Sequence, residues 1–164
     1  MDHVKLLEQW QRGLRIAHKA HQKAAVKFES QGRWLGVAAV ITSTIVGTSL
    51  FADANATVSQ GWKIGAGVLS LVAAVLSAVQ GILKYGEIAA LHRAAAQRYG
   101  PLRREVEELL AEVDPANPIA HQVVAGLRKR WDEIDADSPS VPQKIYDDAL
   151  ASLTPSPASV PPPH

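Results

Sequence analysis

The chain contains no cysteine, which excludes disulfide bonds, thiolate metal sites and cysteine nucleophiles. Proline is absent from the first hundred residues, so no proline interrupts a helix there. An excess of charge of one sign is also missing. The 17 basic and 16 acidic residues leave a net charge of +1, which argues against a nucleic-acid binder that depends on phosphate neutralisation. With 164 residues, the chain is long enough for one domain, or for one domain and a tail.

Catalytic motifs are missing as well. The sequence has no glycine-rich phosphate loop, no HExxH zinc motif and no serine-nucleophile elbow. Nothing in it indicates an enzyme, and we expect no cofactor and no catalytic residue.

Two long apolar runs dominate the chain, although its mean hydropathy is only −0.02. Residues 34–51 and residues 64–83 contain no charged side chain. About twenty mainly apolar residues span the ~30 Å hydrocarbon core as a helix, so each run predicts a transmembrane helix. The alternative is a soluble protein with two buried helices, but the remaining sequence has too little apolar surface to cover both. Neither run has the layout of a cleavable signal peptide.

The charged residues around the two runs predict the orientation. The connecting segment 52–63 carries only Asp53 and Lys63, whereas the outer flanks of both runs are basic. By the positive-inside rule, both ends are cytoplasmic and the connection lies outside. We therefore expect a multi-pass protein of the inner, cytoplasmic membrane. The basic flanking residues are Arg12, Arg15, Lys19, Lys23, Lys27, Arg33, Lys84, Arg93, Arg98, Arg103 and Arg104.

Both flanks carry a helical pattern. Before the first run, positions seven residues apart form one stripe, and apolar residues also occupy the companion positions. After the second run, apolar residues recur at steps of three and four. The first stripe is Leu7, Leu14, His21 and Phe28, with Trp10, Ala17 and Ala24; the second is Ile88, Leu91, Ala95, Tyr99, Leu102, Val106, Leu109 and Val113. We expect a kink at Gly100-Pro101.

The remaining C-terminal sequence predicts short helices. A break over 114–118 places Asn117 as a cap and Pro118 at the first helical position. The following helix has one apolar side, and a last short helix runs from Gln143 to about Leu153. That apolar side comprises Ile119, Val123, Leu127, Trp131 and Ile134.

Together these patterns predict an all-α integral membrane protein built on a long antiparallel hairpin. Its segments are a cytoplasmic amphipathic helix (1–33), two spans (34–51 and 64–83), the outside loop (52–63), a return helix (84–113), short helices (114–153) and a disordered proline-rich tail (154–164).

The two spans separate small and polar residues from large apolar ones. On the second span, Val68, Leu69, Leu71, Val72, Val75, Leu76, Val79, Ile82 and Leu83 form one arc that we assign to lipid. The small residues permit close helix packing, and the hydroxyls can bond across helices or to their own backbone. The second interpretation is that some of the polar residues on the opposite side of the spans line a pore formed by several copies. The packing residues are Gly36, Ala39, Ser43, Gly47, Gly67, Ala74, Ala78 and Gly81; the pore-lining candidates are Thr44, Thr48, Ser70, Ser77, Gln80 and Lys84.

Two other clusters were considered as ligand sites. His18 and His21 lie one turn apart, but no third ligand is near in sequence, so a solvated or interhelical pair is favoured over a metal site. Arg128, Lys129 and Arg130 form a basic cluster that either contacts anionic headgroups as a solvated face or recognises a nucleotide.

The layout of the chain resembles the SLATT family of two-span membrane proteins of bacterial nucleotide-signal and conflict systems. The resemblance covers about Leu6 to Leu150 and is strongest from Lys84 to Leu110, which includes the return-helix sequence LHRAAAQRYGPLRREVEELL; WDEIDADSPSVPQKIYDDAL (131–150) is also similar. It implies a pore-forming effector that permeabilises the membrane in abortive infection. It also implies a partner that makes or senses a nucleotide.

Two functions follow as hypotheses. The first is a homo-oligomeric, pore-forming effector, since two helices cannot by themselves enclose a pore. The second is a membrane-anchored helical scaffold that recruits a soluble protein. A proton-coupled transporter is disfavoured because neither run carries a carboxylate or histidine at its centre.

Overall fold

A computed structural model describes residues 3–53, 60–112 and 119–153 of the chain. These residues form five α-helices and no strand: α1 (His3–Asp53), α2 (Gln60–Leu83), α3 (Tyr85–Ala111), α4 (His121–Asp137) and α5 (Gln143–Ala151). The all-α prediction is confirmed for this part of the chain. The predicted loop centre, the break at 114–118 and the tail from residue 154 lie outside the described residues.

The helices divide into two compact units. One unit is Lys27–Ile88, which we call the hairpin unit; the other is Met1–Val26 with Ala89–His164, which we call the bundle unit. α1 and α3 each contribute residues to both units.

The core of the bundle unit follows the predicted heptad stripe. Leu7, Leu14, His21 and Ala24 of α1 are buried, so this stripe is confirmed. The apolar core cluster also takes residues from α3 and α4. A seven-residue repeat keeps one side of a helix toward its neighbour, which is why these positions share one core. The cluster consists of Leu7, Leu14, Ala95, Tyr99, Leu102, Val106, Leu127 and Ile134.

Two positions of the predicted core are wrong. Leu91 is 57% exposed, and the buried residue of that turn is His92. On α4, Val123 is exposed and Val124 is buried. In each case the adjacent residue points toward the other helices. The apolar character of a residue does not by itself show which of two adjacent positions is buried.

The N-terminus of α4 lies next to a residue of α1. The helix begins at His121, with Ala120 as an extended N-cap that makes no side-chain capping bond. The predicted cap Asn117 and the predicted first helical residue Pro118 lie outside the described residues. The His3 ring bonds through Nδ1 to the Ile119 carbonyl at 3.1 Å, and the Ile119 side chain packs against the core cluster.

The hairpin unit carries many exposed apolar side chains. One helical stretch among the described residues, Gly61–Ala111, is long and apolar enough to cross a membrane; its most apolar window has a mean hydropathy of 2.1 and is 6% buried. This stretch contains the predicted second span. The predicted first span, 34–51, lies within α1, and the side chains of its last three residues are outside the described part. Its crossing of the membrane stays a prediction.

The break between α2 and α3 falls at Lys84. This residue has a φ of 42° and is the one non-glycine residue with positive φ in the described part of the chain. α3 includes Pro101 as a helical residue, and the kink expected at Gly100-Pro101 stays a prediction.

Candidate functional site

A groove in the hairpin unit brings together several of the predicted site residues. It has a volume of about 540 Å³ and takes residues from both α1 and α2. The six-residue pore-lining set contributes Thr44, Ser77 and Gln80 to it. The lining is Gly36, Ala39, Val40, Ser43, Thr44, Ser77 and Gln80. Apolar and polar groups therefore share one concave surface within a unit that otherwise exposes apolar side chains.

The side-chain amide of Gln80 lies next to Gly36 of α1. A Cβ placed at Gly36 would lie 3.3 Å from Nε2 of Gln80, closer than most side-chain contacts allow. The absence of a side chain at Gly36 therefore gives the amide its place against α1. The Gln80 side chain is exposed and makes no hydrogen bond within the described residues. Its amide is a strong donor and acceptor that is left for an external partner.

Most hydroxyl groups of the hairpin unit, in contrast, have partners in their own helix. Thr44 donates to the Val40 carbonyl at 2.8 Å, and Ser70 donates to the Ala66 carbonyl at 2.9 Å. Thr48 donates to the Thr44 carbonyl at 3.0 Å. Such bonds to the preceding turn satisfy a hydroxyl in lipid as well as in water. These three residues are therefore compatible with either environment.

The remaining pore-lining candidates lie away from the groove. Thr48 and Ser70 are exposed on their helices but do not line it. Lys84 lies at the end of α2, and its ammonium group contacts both carboxylate oxygens of Glu87, at 3.2 and 3.1 Å. The structure thus gathers three of the six candidates.

Residues of both arcs of α2 lose exposure in the hairpin unit. Ala39 and Ala73 are buried, and Leu69, Leu76 and Val79 are half-buried. The last three belong to the arc that is predicted to face lipid. A Cβ added at Gly47, Gly67 or Gly81 would meet nothing within 4 Å among the described residues, and Ala74 and Ala78 are exposed. Of the predicted packing residues, only Gly36, Ala39 and Ser43 take part in the groove.

A second polar arrangement lies in the bundle unit. His21 and His92 are both buried, and their Nδ1 atoms are 3.0 Å apart, so one ring donates a hydrogen bond to the other. Desolvation by burial and the nearby His92 lower the pKa of His21 to about 4. Burial also lowers the pKa of His92. Both rings are therefore neutral at physiological pH.

Tyr99 extends this arrangement. Its ring stacks on His21 with centroids 5.4 Å apart, and its hydroxyl donates a hydrogen bond to Asp135 Oδ1. Burial and this bond raise the pKa of Tyr99 above its usual value of 10.0. The spacing along α1 predicts a pair of His21 with His18, whereas His21 bonds to His92, which was not predicted. The signal was the seven-residue step from His92 to Tyr99 to Val106, which places all three on one stripe.

His18 has a separate environment. Gln22 donates a hydrogen bond from Nε2 to Nε2 of His18 at 3.0 Å. Desolvation and the positive charges of Arg103 and Arg104 lower the pKa of His18. Across the described ranges, no three histidine or acidic side chains are grouped so that they could hold a metal ion.

The basic cluster of α4 is paired with carboxylates. Arg130 donates two hydrogen bonds to Glu105, at 2.8 and 2.5 Å, and these bonds raise its pKa. Arg128 lies 3.8 Å from Asp132, and Lys129 lies 4.0 Å from Glu133. Acidic neighbours lower the positive potential of this surface, which weakens its attraction for headgroups or nucleotides.

Comparison with known proteins gives one match. The family described as "SMODS and SLOG-associating 2TM effector domain family 4" matches residues 6–156. The resemblance to SLATT proteins is therefore confirmed over nearly the whole chain. No curated protein and no solved structure matches the chain significantly.

Proposed function

The chain belongs to family 4 of the SMODS and SLOG-associating 2TM effector domains, and from that membership we propose that it is a homo-oligomeric, pore-forming effector of a bacterial defence system. Residues 34–51 and 64–83 are its two spans in the inner membrane, and both termini are cytoplasmic. A nucleotide signal, or a partner that makes or senses one, triggers permeabilisation.

The exposure of apolar side chains supports a membrane location. In α2, Leu71 is 66% exposed, and in the part of α1 that belongs to the hairpin unit Val40 and Ile41 are exposed. In water such a surface costs about 25 cal/mol for each Å² of apolar area. In a bilayer the lipid chains cover it without this cost. The main exposed apolar residues of the hairpin unit are Trp34, Val37, Val40, Ile41, Ile45, Trp62, Ile64, Val68, Leu71, Val72, Val75, Ile82 and Leu83.

The observation that carries the proposal is the position of Gln80. Its amide lies in a groove between two apolar helices and makes no hydrogen bond within the described residues. An amide in hydrocarbon without a partner costs several kcal/mol. Water in a conduit, or a polar group of another copy, removes this cost. Both partners are available in an assembly of several copies, which supports the proposal.

The outer face of α2 supports assembly. Gly67 and Gly81 face open space, and Ser70, Ala74 and Ala78 are exposed beside them. Small residues permit another helix to approach closely, which is how transmembrane helices associate. A ring of several copies can use this face for contacts between subunits while Ser77 and Gln80 face the axis.

The test replaces the two polar groups that α2 contributes to the groove and measures permeation. The Ser77→Leu/Gln80→Leu double variant should assemble as the native protein does, but its ion efflux from liposomes should fall about tenfold, because an apolar lining excludes water. The control is Val68→Leu/Val75→Leu, which changes two exposed apolar positions of the same helix. Native mass spectrometry gives the subunit number in parallel. A double variant with normal efflux would remove the lining assignment, and a protein that is only ever dimeric would remove the pore.

The second candidate is a membrane-anchored scaffold. The bundle unit favours it, because α4 and α5 expose Val123 and Tyr146, each about two-fifths exposed. A soluble partner could pack on these side chains. Stable capture of one defined protein by the native chain, lost in a Val123→Asp/Tyr146→Asp variant and without any ion efflux, would favour the scaffold.

A further inference from the structure

The connection between α2 and α3 consists of one residue in an unusual conformation. Lys84 has a φ of 42°, in the left-handed region. Residues there are usually glycine, because an L-residue places its Cβ close to the following carbonyl oxygen. The flanking residues Leu83 and Tyr85 are helical. One residue, Lys84, therefore separates α2 from α3, and the Cβ of this lysine disfavours the backbone conformation that it adopts.

Several contacts hold this conformation. The Lys84 carbonyl accepts hydrogen bonds from the amides of Glu87, at 2.9 Å, and Ile88, at 3.2 Å, which makes it the cap of α3. The Lys84 ammonium group contacts the Glu87 carboxylate on the first turn of that helix. Both side chains are exposed, so the pair is weak and adjustable.

The residue that follows is fixed to α1. The Tyr85 ring stacks on Phe28 with centroids 6.1 Å apart and planes inclined by 22°. A Cβ placed at Gly32 would lie 3.1 Å from the Tyr85 Cβ, so α1 and α3 approach closely at this point. The chain after the break is thus anchored, and a change of Lys84 would act mainly on α2.

The alternative conformation is a continuous helix. If Lys84 adopted right-handed helical angles, α2 and α3 would join into one helix over the stretch Gly61–Ala111, which has no proline near the junction. Gln80 lies one turn before Lys84. Turning α2 about this residue changes the direction in which Ser77 and Gln80 point.

We propose that Lys84 is a two-state hinge, left-handed in the present structure and right-handed helical in a second state in which α2 and α3 are continuous. Its role as the gate of a conduit rests on the function proposed above. Two effects oppose each other at this hinge: the left-handed state strains the backbone of Lys84, and the stacking of Tyr85 on Phe28 holds the chain directly after the break.

Two substitutions should shift the hinge in opposite directions. Lys84→Gly removes the strain of the left-handed state and weakens the continuous helix, so the broken state should gain about fivefold or more. Lys84→Ala keeps the strain of the left-handed state and supplies the best helix former, so the continuous state should gain. Lys63→Gly and Lys63→Ala, at an exposed helical lysine of α2, are the matched controls.

Spin-label distances in the full chain provide the measurement. The protein has no native cysteine, so Val75→Cys/Leu91→Cys attaches labels at two exposed positions on either side of the hinge. In a continuous helix these sites are about 24 Å apart along the axis, from 1.5 Å per residue, and a break shortens that distance. Labelled protein is diluted with unlabelled protein in lipid nanodiscs, so that distances within one chain dominate.

The expected result is a shift toward short distances in Lys84→Gly and toward about 24 Å in Lys84→Ala, with no shift in the Lys63 controls. Glu87→Gln leaves residue 84 unchanged and should not shift the distances, because an ion pair at i,i+3 also forms in a continuous helix. One unchanged distance distribution in both Lys84 variants would overturn the hinge. Ion efflux from the same samples separates the two proposals. Distances that shift with no efflux in any variant would support the hinge and contradict the pore.

Discussion

Gly36 and Gln80 lie so close together that a Cβ at position 36 would be 3.3 Å from the Gln80 amide nitrogen. The glycine thereby determines where the amide of Gln80 lies in the groove between α1 and α2. The two residues are far apart in sequence, and only the packing of the helices gives Gly36 this role.

The first prediction concerns this contact. Gly36→Leu should displace the Gln80 amide, which lies 3.3 Å from the place of a Cβ at position 36, and should lower the stability of the hairpin unit by about 1 kcal/mol, the low end for overpacking, because the amide ends a flexible and exposed side chain. Helix melting followed by circular dichroism in detergent measures the change. Gly65→Leu, where a Cβ meets nothing within 4 Å among the described residues, is the control and should change stability by less than about 0.5 kcal/mol. Equal effects of both substitutions would contradict the special position of Gly36.

The second prediction concerns a close approach in the bundle unit. A Cβ at Gly13 would lie 2.8 Å from Cη2 of Trp131, whose ring also meets Trp10 edge-on. Gly13→Ala should therefore destabilise the bundle unit by about 1–3 kcal/mol. At Gly126 a Cβ has open space, and Gly126→Ala should stabilise α4 by about 0.5–1 kcal/mol. Tryptophan fluorescence during urea unfolding compares the two, and a stabilising Gly13→Ala would show that the indole has room to move.

The third prediction concerns the hydroxyl of Tyr99. Tyr99→Phe removes its hydrogen bond to the Asp135 carboxylate and should lower the free energy of unfolding by about 1–2 kcal/mol, a low value for a charged acceptor because Asp135 is exposed. Tyr146→Phe removes a hydroxyl from a tyrosine that is 39% exposed and should have almost no effect. Thermal unfolding measures both. Identical melting temperatures for the two variants would mean that the bond contributes nothing to stability.

The fourth prediction is a dependence of stability on pH. The pKa of His21 is about 4 in the folded protein and 6.5 in the unfolded chain. Between these values the unfolded chain binds more protons, so stability is complete above pH 6.5 and falls as the pH decreases toward 4. The loss due to His21 is about 3 kcal/mol at pH 4, at 1.36 kcal/mol for each pKa unit. The lowered pKa of His92 adds to it in the same direction.

Urea unfolding at a series of pH values between 7.5 and 4 measures this dependence. His21→Gln keeps a hydrogen-bonding group beside His92 but does not titrate, so its stability should fall less over the same range. If the variant loses as much stability as the native protein, the acid sensitivity belongs to other groups.

Much of the fold could be predicted from the order of residues along the chain. The seven-residue stripe of Leu7, Leu14 and His21 predicts a helix with one buried side, because such spacing keeps these positions on one face whatever lies opposite. The uncharged run 64–83 predicts a membrane-spanning helix, because twenty residues without a charge are long and apolar enough to cross the hydrocarbon core of a bilayer. The absence of proline before residue 101 is consistent with the 51 residues of α1.

The candidate site depended on which helix faces which, and local patterns carry little information about that. Leu91 and His92 are adjacent in α3, and only one of them can point into the bundle unit. The packing of α3 buries His92, which forms a hydrogen bond with His21. In α2 the large residues Leu69 and Leu76 turned toward α1, and several small residues stayed outside. The left-handed conformation at position 84 could not be predicted, because the residue there is lysine and not the glycine that usually indicates such a conformation. The sequence by itself determined the helices and their lipid-compatible length, because these follow from spacing and composition. Tertiary structure decided the partner of His21, the place of Gln80 and the break at Lys84, because each depends on a surface supplied by a distant part of the chain.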